Sequence, residues 1–425
     1  MTTSDSTLAK RPPRRVYHLA GPGDVIGTFR RWLADAGGDE REVSRTYSAQ
    51  FFDVVTAHGL TALVEASRAR EAGVEGRGIR VMARPQIGRR WRGPLWDVAM
   101  VLNAARILWT AVRFRADTLV VGAGTRWYML IPAALLGIRV VPILHNTLWA
   151  EGVPPPRRGL RDRLTGLFWR RFAAGTVAIS PAAKRQVESL ASGTRGEILV
   201  ATPQYDRGQF EGIAQPEHAR RPFVVMYAGR LERDKGVFDL LEAAERVEAV
   251  APGQVLWELC GDGRARGELE AAVERSVVRG RFVLHGHRNR DEMRAAFERS
   301  HVVVVPTRSS FPEGFNQVVA EGVLSGRPVV TSAVVPAIEL VPEAVVLVPP
   351  DEAKGYAEAV LRLLGDRDEY ERLRSAAAGY REQFFDRERS WARMLERVLG
   401  LPARVVPVES EAGDSTPGSE ASRAA

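Results

Sequence analysis

The chain has 425 residues, 45% of them hydrophobic, and carries 60 basic against 52 acidic side chains for a net charge of +8. That length exceeds one typical core and argues for two domains, and the ordinary apolar content excludes a wholly disordered chain. The one cysteine, Cys260, excludes an intramolecular disulfide, as expected of a protein of the cytoplasm.

Residues 1–14 contain no apolar run and are expected to form a disordered N-terminus, not a secretory leader. Val16–Ala20 reads as a first strand ending at G-P-G-D, where Gly21 and Gly23 either bring backbone close to a ligand or simply turn the chain. Further strand candidates lie at Arg80–Ala83, Thr118–Val121, Ile138–Leu144, Thr176–Ile179 and Ile198–Val200. The one stretch open to misreading as a membrane span is Trp127–Leu144. Gly137, Arg139 and Pro142 interrupt it, and a helix over Arg126–Leu136 followed by a buried strand accounts for it better. His145 and Asn146 follow that strand at its carboxyl end. The polar stretch Ala214–Arg221 reads as a linker.

Charge is uneven. Residues 1–200 hold 30 basic and 16 acidic side chains, net +14, and the remainder is net −6. A basic first half implies an anionic partner on that side. Arg89-Arg90-Trp91-Arg92 precedes an apolar, Trp-bearing helix over Leu95–Arg115. A second helix carries Arg157, Arg158, Arg161, Arg163, Arg170 and Arg171 beside Leu164, Leu167, Phe168 and Trp169. Basic helices with tryptophan suit an anionic membrane surface; the plainer reading is ordinary helices with arginine-rich solvent faces. No recognition motif supports nucleic acid.

The second half carries the sharper signals. The strand Val224–Ala228 ends in G-R-L-E-R-D-K-G, residues 229–236, and a helix over Val237–Val250 follows. Arg230 and Lys235 thus stand at a strand's carboxyl end, where open α/β sheets bind ligands. Lys235 is one of only four lysines among the 60 basic residues. C-G-D-G (Cys260–Gly263) comes next, and V-L-H-G-H (Val283–His287) begins in the strand Arg281–Leu284. Then His301–Pro306 reads as a buried strand, followed by F-P-E-G-F-N-Q-V-V-A-E (Phe311–Glu321) and a strand over Arg327–Thr331. Glu313 falls in the loop and Glu321 eight positions later on the helix that the loop opens. A helix N-terminus binds anions, while carboxylates accept hydrogen bonds from hydroxyls; together they suit a sugar joined to a phosphate. Helices over Asp366–Phe384 and Arg387–Leu399 and a polar tail complete the chain. Strands alternate with helices throughout, which argues α/β with parallel sheets. No spacing supports a metal site.

In order and spacing, G-R-L-x-x-x-K-G, C-G-D-G, V-L-H-G-H and P-E-G-F-x-x-x-x-x-E-G with a closing G-R-P-V-V resemble the retaining, nucleotide-sugar-dependent glycosyltransferases of family four, the group 1 glycosyl transferases. The resemblance covers residues 222–350 well and 15–200 in outline. It implies the GT-B fold: two Rossmann-like domains with parallel sheets facing across a cleft. The expected boundaries are an acceptor domain at 15–213, a linker at 214–221, a donor domain at 222–385, a helix at 386–402 crossing back to the first domain, and a disordered tail at 403–425. His145, Glu313, Arg230 and Lys235 are expected to carry the chemistry. Gly229, Gly261, Asp262, Gly286, His287, Gly314, Phe315, Asn316, Gln317 and Glu321 would complete the donor site, with Gly21, Gly23 and Asn146 on the acceptor side and Arg89, Arg90, Trp91 and Arg92 against a membrane.

The resemblance implies a UDP- or GDP-sugar as substrate, no cofactor and no metal, and transfer with retention. The acceptor expected is a glycan or lipid-linked intermediate of a bacterial cell envelope, at the inner face of the cytoplasmic membrane. Asn316 and Gly322 replace the family's usual Gly and Ala, and Ser332-Ala333-Val334-Val335-Pro336 replaces a glycine-rich turn near the donor. A nucleotide-sugar epimerase of the same fold, or a silent sugar-nucleotide-binding partner protein, are the alternatives. A phosphorylase is disfavoured by the lack of a pyridoxal phosphate lysine motif.

Overall fold

The computed structural model describes residues 14–21, 23–34, 43–67, 73–155 and 159–404. The expected disordered ends (but for Arg14, Ala403 and Arg404), together with Arg157 and Arg158, lie outside the described residues.

Fourteen strands among these residues form two sheets. The first contains β1 (Arg15–Leu19), β2 (Thr61–Ala66), β3 (Gly73–Gly76), β4 (Ile79–Ala83), β5 (Thr118–Val121), β6 (Arg139–Leu144), β7 (Thr176–Ala178) and β8 (Ile198–Val200), in the order β3-β4-β2-β1-β5-β6-β7-β8. Every pairing is parallel except the β3–β4 hairpin at the edge. The second contains β9 (Phe223–Ala228), β10 (Val255–Cys260), β11 (Phe282–Gly286), β12 (Val302–Val305), β13 (Val329–Ser332) and β14 (Val345–Val348), ordered β11-β10-β9-β12-β13-β14 and wholly parallel. Strands covered on both faces can be continuously apolar, and β9 (F-V-V-M-Y-A) and β12 (V-V-V-V) are buried at every position.

Strand order reverses between β1 and β5 in one sheet and between β9 and β12 in the other. Open α/β sheets bind ligands at the carboxyl ends of strands beside such a reversal. The fold therefore turns two crevices toward each other.

The helix Trp391–Leu399 returns to the first domain. Trp391, Ala392, Leu395, Val398 and Leu399 pack with Phe51, Phe52, Val54 and Val177. The segment 214–221 is tied to the second domain: Gln215 donates to the Ser325 carbonyl at 3.0 Å, and Arg327 donates to the Ala214 carbonyl at 2.6 Å.

Several elements differ from the sequence expectation. The helix expected over Arg126–Leu136 is a 3-10 turn, Trp127–Leu130, followed by a short α-helix, Ile131–Leu135. Pro132 lacks an N–H and its ring crowds the preceding turn, so it opens a new helix. The helix expected over Asp366–Phe384 stops at Gly379, and the final helix begins at Trp391, where Ser390 caps the Arg393 amide at 3.0 Å. Among the described residues the helix long and apolar enough to cross a membrane is Pro94–Phe114, not the stretch Trp127–Leu144. On the arginine-studded helix Leu160–Arg171, Phe168 and Trp169 are core residues, and the Trp169 indole donates to Thr176 Oγ1 at 3.1 Å. Those aromatic rings are unavailable to a membrane.

Candidate active site

On the second domain the loops after β9 and β12 meet. Gly236 ends the first with φ +75°, and a Cβ there would fall 2.0 Å from the Pro306 carbonyl oxygen, so only glycine lets the loops touch. Their contact brings the Lys235 ammonium onto Glu313 Oε2 as an ion pair. Thr307 Oγ1 and Asn316 Nδ2 donate to the same oxygen at 3.2 and 3.1 Å. Among the described residues no hydrogen bond engages Glu313 Oε1. The carboxylate is thus buried, fixed by one oxygen, and able to accept a hydroxyl on the other.

Arg230 lies two residues past the end of β9 and is exposed. Its guanidinium lies 5.5 Å from the centre of the Phe311 ring, with Lys235 Nζ 4.0 Å from the same ring. Among the described residues Arg230 forms no ion pair, which leaves its charge for a ligand. Asn316 caps the helix Gln317–Leu324, its side chain accepting from the Val318 amide at 3.2 Å with φ +70°. Two cations and a helix N-terminus therefore converge at one strand reversal, an arrangement suited to a diphosphate.

Gly229, Gly261, Asp262 and Gly286 sit at the carboxyl ends of β9, β10 and β11. Asp262 is exposed and its carboxylate accepts from the Gly263 amide at 2.7 Å. Phe315 is buried, and its carbonyl accepts from the Ala337 amide at 3.1 Å, so the unusual 332–336 loop packs beneath the site. Glu321 is buried within the helix near Tyr205, whose hydroxyl is raised by desolvation and by that carboxylate. Glu321 does not line the cleft cavity. Gly322 packs where a Cβ would approach Val329 to 2.8 Å, which accounts for the missing alanine.

Between the two domains lies a cavity of about 850 Å³. The expected residues Gly21, Gly23, His145 and Asn146 line it, as do His287 and Gln317 from the second domain; Arg230, Lys235 and Glu313 lie outside its lining. Arg89, Arg90, Trp91 and Arg92 do not line it; they are exposed, on the approach to the helix Pro94–Phe114. Sequence reasoning missed His18, Asp24, Arg45, Tyr47 and Trp391, all of which line the cavity.

The domains touch beside His145. Thr147 Oγ1 donates to the Glu313 carbonyl at 3.0 Å, and a Cβ on Gly314 would fall 2.1 Å from the His145 carbonyl oxygen. His145 lies 5.2 Å from the Tyr47 ring, and desolvation lowers its pKa to about 4. Behind it, His18 stacks on Phe51 at 4.4 Å and is likewise lowered to about 4, chiefly by burial. Both imidazoles are neutral near pH 7, so His145 can exchange hydrogen bonds with a sugar but holds no proton to give as an acid. Among the described residues no group of three His, Cys, Asp or Glu side chains is placed to hold a metal ion.

Residues 222–366 match the family model described as glycosyl transferases group 1. The chain is 33% identical over 179 residues to the glycogen synthase of Mycobacterium tuberculosis, covering 40% of this chain and 42% of that protein, so it spans less than half of that relative's length. It is 30% identical over 271 residues to the alpha-D-kanosaminyltransferase of Streptomyces kanamyceticus, covering 59% of this chain and 68% of that one. The solved structures of Anabaena Alr3699/HepE with UDP and with UDP-glucose superpose with TM-scores of 0.62 and 0.60 at 19% and 20% identity, over 91% of this chain and 100% of theirs. That likeness establishes the fold, GT-B, with its two parallel sheets and intervening cleft.

Proposed function

This chain belongs to the group 1 glycosyl transferases, and from that premise we propose that it moves a sugar from a nucleoside-diphosphate sugar to a hydroxyl acceptor, retaining the anomeric configuration. The observation that carries the reading is the convergence of Arg230, Lys235 and the helix N-terminus after Asn316 at the β9–β12 reversal, where the Gly314 backbone meets that of His145. Leaving of a diphosphate builds negative charge while the sugar ring becomes positive. Two cations and oriented amides stabilise the first without metal or cofactor. Glu313 Oε1 accepts a donor-sugar hydroxyl, His145 meets the sugar from the other domain, and Glu321 acts on the nucleotide side. The departing phosphate takes the acceptor proton in a front-face attack, so neither carboxylate becomes a covalent nucleophile. Closure of the domains keeps out water, whose attack would waste the donor.

A UDP-type donor is supported by the likeness to HepE, solved with UDP and UDP-glucose. For the acceptor, the net +14 of residues 1–200 favours an anionic, lipid-linked or envelope glycan intermediate, met at the cytoplasmic face of the membrane.

The test is a panel of nucleotide sugars read by thermal shift, then transfer assays with the donors that bind. A UDP-sugar should raise the melting temperature. Glu321→Gln should weaken nucleotide binding, while Glu313→Gln should lower turnover more than binding. No stabilisation by any nucleotide sugar would overturn the reading, and isomerisation of donor alone would replace it with an epimerase.

A further inference from the structure

The helix Pro94–Phe114 is apolar on two opposite faces. One is packed into the first domain through Ala99, Met100, Ala104, Ile107 and Ala111. The other carries Leu95, Val98, Val101, Leu102, Trp109 and Val112, each between 45% and 61% exposed. At about 100° per residue these six fall within an arc of roughly 120°, with Ala105 among them. A surface helix normally carries charge there. Trp91, 43% exposed, adds an indole just before the helix.

The rim of this face is basic. Arg89, Arg90 and Arg92 lie exposed on the approach, and Arg113 and Arg115 lie exposed at the far end. The acid in the helix's first turn, Asp97, is neutralised by Arg126 at 3.1 Å and Arg161 at 2.6 Å.

We propose that this face seats on an anionic lipid bilayer, with the helix lying in the headgroup plane. An apolar stripe with tryptophan beside it and arginines around it matches a surface whose interior is hydrocarbon and whose rim is negative. Crossing the bilayer is excluded by the packed face, where buried Asn103 donates to the Ile87 and Ala99 carbonyls at 3.0 and 2.8 Å. A second copy of the chain fits worse, because joining two such faces would press like-charged arginine rims together.

The packed side of the same helix is tied to a loop of the cleft. Thr125 Oγ1 donates to the Met100 carbonyl at 3.1 Å, and Gly122 and Ala123 of the same loop line the cavity. The helix and the first-domain lining of the cleft thus share one loop, and a bilayer under the exposed face would bring a lipid-carried acceptor to the domain that forms that lining. That delivery rests on the transferase reading; the seating does not.

The test uses the full chain, co-sedimented with vesicles of phosphatidylcholine alone or mixed with phosphatidylglycerol, at low and high salt. Binding should favour the anionic vesicles and weaken with salt. Val101→Glu with Leu102→Glu should cut it at least tenfold without changing the melting temperature or the UDP-induced shift. Replacing Arg89, Arg90 and Arg92 with Ala should remove most of the salt-sensitive part. The proposal is overturned if the double variant binds as well as the parent, if neutral vesicles bind equally, or if sedimentation shows a dimer that the double variant dissociates. Vesicle binding without any nucleotide-sugar binding would sink the transferase reading and leave this one standing.

Discussion

The two sides of the cleft are built on different terms. On the second domain the backbone has no slack: a Cβ on Gly236 would fall 2.0 Å from a carbonyl oxygen, and one on Gly314 would fall 2.1 Å from another. On the first domain, Gly21 and Gly23 line the same cleft with nothing within 4 Å of an added Cβ. One wall is held by backbone contact and one-oxygen anchoring of Glu313; the other is a roomy cavity lined by separate side chains. A diphosphate is common chemistry that a rigid wall can hold, whereas an acceptor is particular and needs adaptable space. Under the proposed function, donor binding rests on geometry and acceptor choice on side chains.

The strongest way to break that contrast is to add one methyl on each side. Gly314→Ala forces the Glu313 loop away from the His145 backbone, and misplacement of about 1 Å near the chemistry costs on the order of a hundredfold in kcat/KM. Overpacking should also lower stability by about 1–3 kcal/mol, read by denaturant titration. Gly23→Ala should keep parental stability and donor affinity, changing mainly the KM for acceptor. Equal losses in the two variants would end the idea that the walls differ.

The charges sharpen it next. Lys235→Ala and Arg230→Ala should each lose at least about tenfold in transfer, corresponding to roughly 1.4 kcal/mol of leaving-group stabilisation. Lys235→Ala should lose more, because it also releases the Glu313 carboxylate that Lys235 anchors. Near-parental turnover in both at saturating donor would remove the diphosphate site from this strand reversal.

That same contrast governs what the sequence revealed. The second-domain wall is written in contiguous loops, so Arg230, Lys235 and Glu313 could be named from local spacing, with Asn316 added by the family resemblance, and the structure brings them together within hydrogen-bonding or ring-contact range. The first-domain wall is assembled by sheet order. His18, the near neighbours Arg45 and Tyr47, and Trp391 come from three distant segments with no shared pattern. The strand β2 escaped notice because Glu65 interrupts its apolar run; burial of that charge is balanced by Arg84 at 2.8 Å and Arg106 at 3.2 Å, partners no local window reveals. The tryptophan helices were ambiguous for a related reason. Periodicity marks an apolar face without saying whether another element covers it, and Trp169 is buried while Trp109 is not.

The last expected effect leaves transfer unchanged and concerns stability alone, and it sets a histidine of the rigid domain beside those of the roomy one. His301 is fully buried; its Nδ1 accepts from the Val224 amide at 2.9 Å and its Nε2 lies 3.2 Å from the Glu217 carbonyl. Only the neutral ring with hydrogen on Nε2 satisfies both, since a proton on Nδ1 would face an N–H. Desolvation, with Arg220, Arg221 and Arg327 nearby, lowers its pKa to about 4, although the bond to Glu217 works in the opposite direction. The unfolded chain takes up this proton near pH 6.5, the folded protein only near pH 4. Stability should therefore fall as pH drops from about 6.5 to 4, because the unfolded state binds more protons across that window. The His301 contribution should be on the order of 1–3 kcal/mol. His301→Gln should be less stable at pH 7 yet show a shallower fall toward pH 4. His18 and His145, also lowered to about 4, add to the slope in the free protein. Saturating donor should change the share of cleft-lining His145 and leave that of His301 untouched. A pH slope in His301→Gln as steep as the parent's would mean that His301 does not hold the 214–221 segment in the way its two bonds indicate.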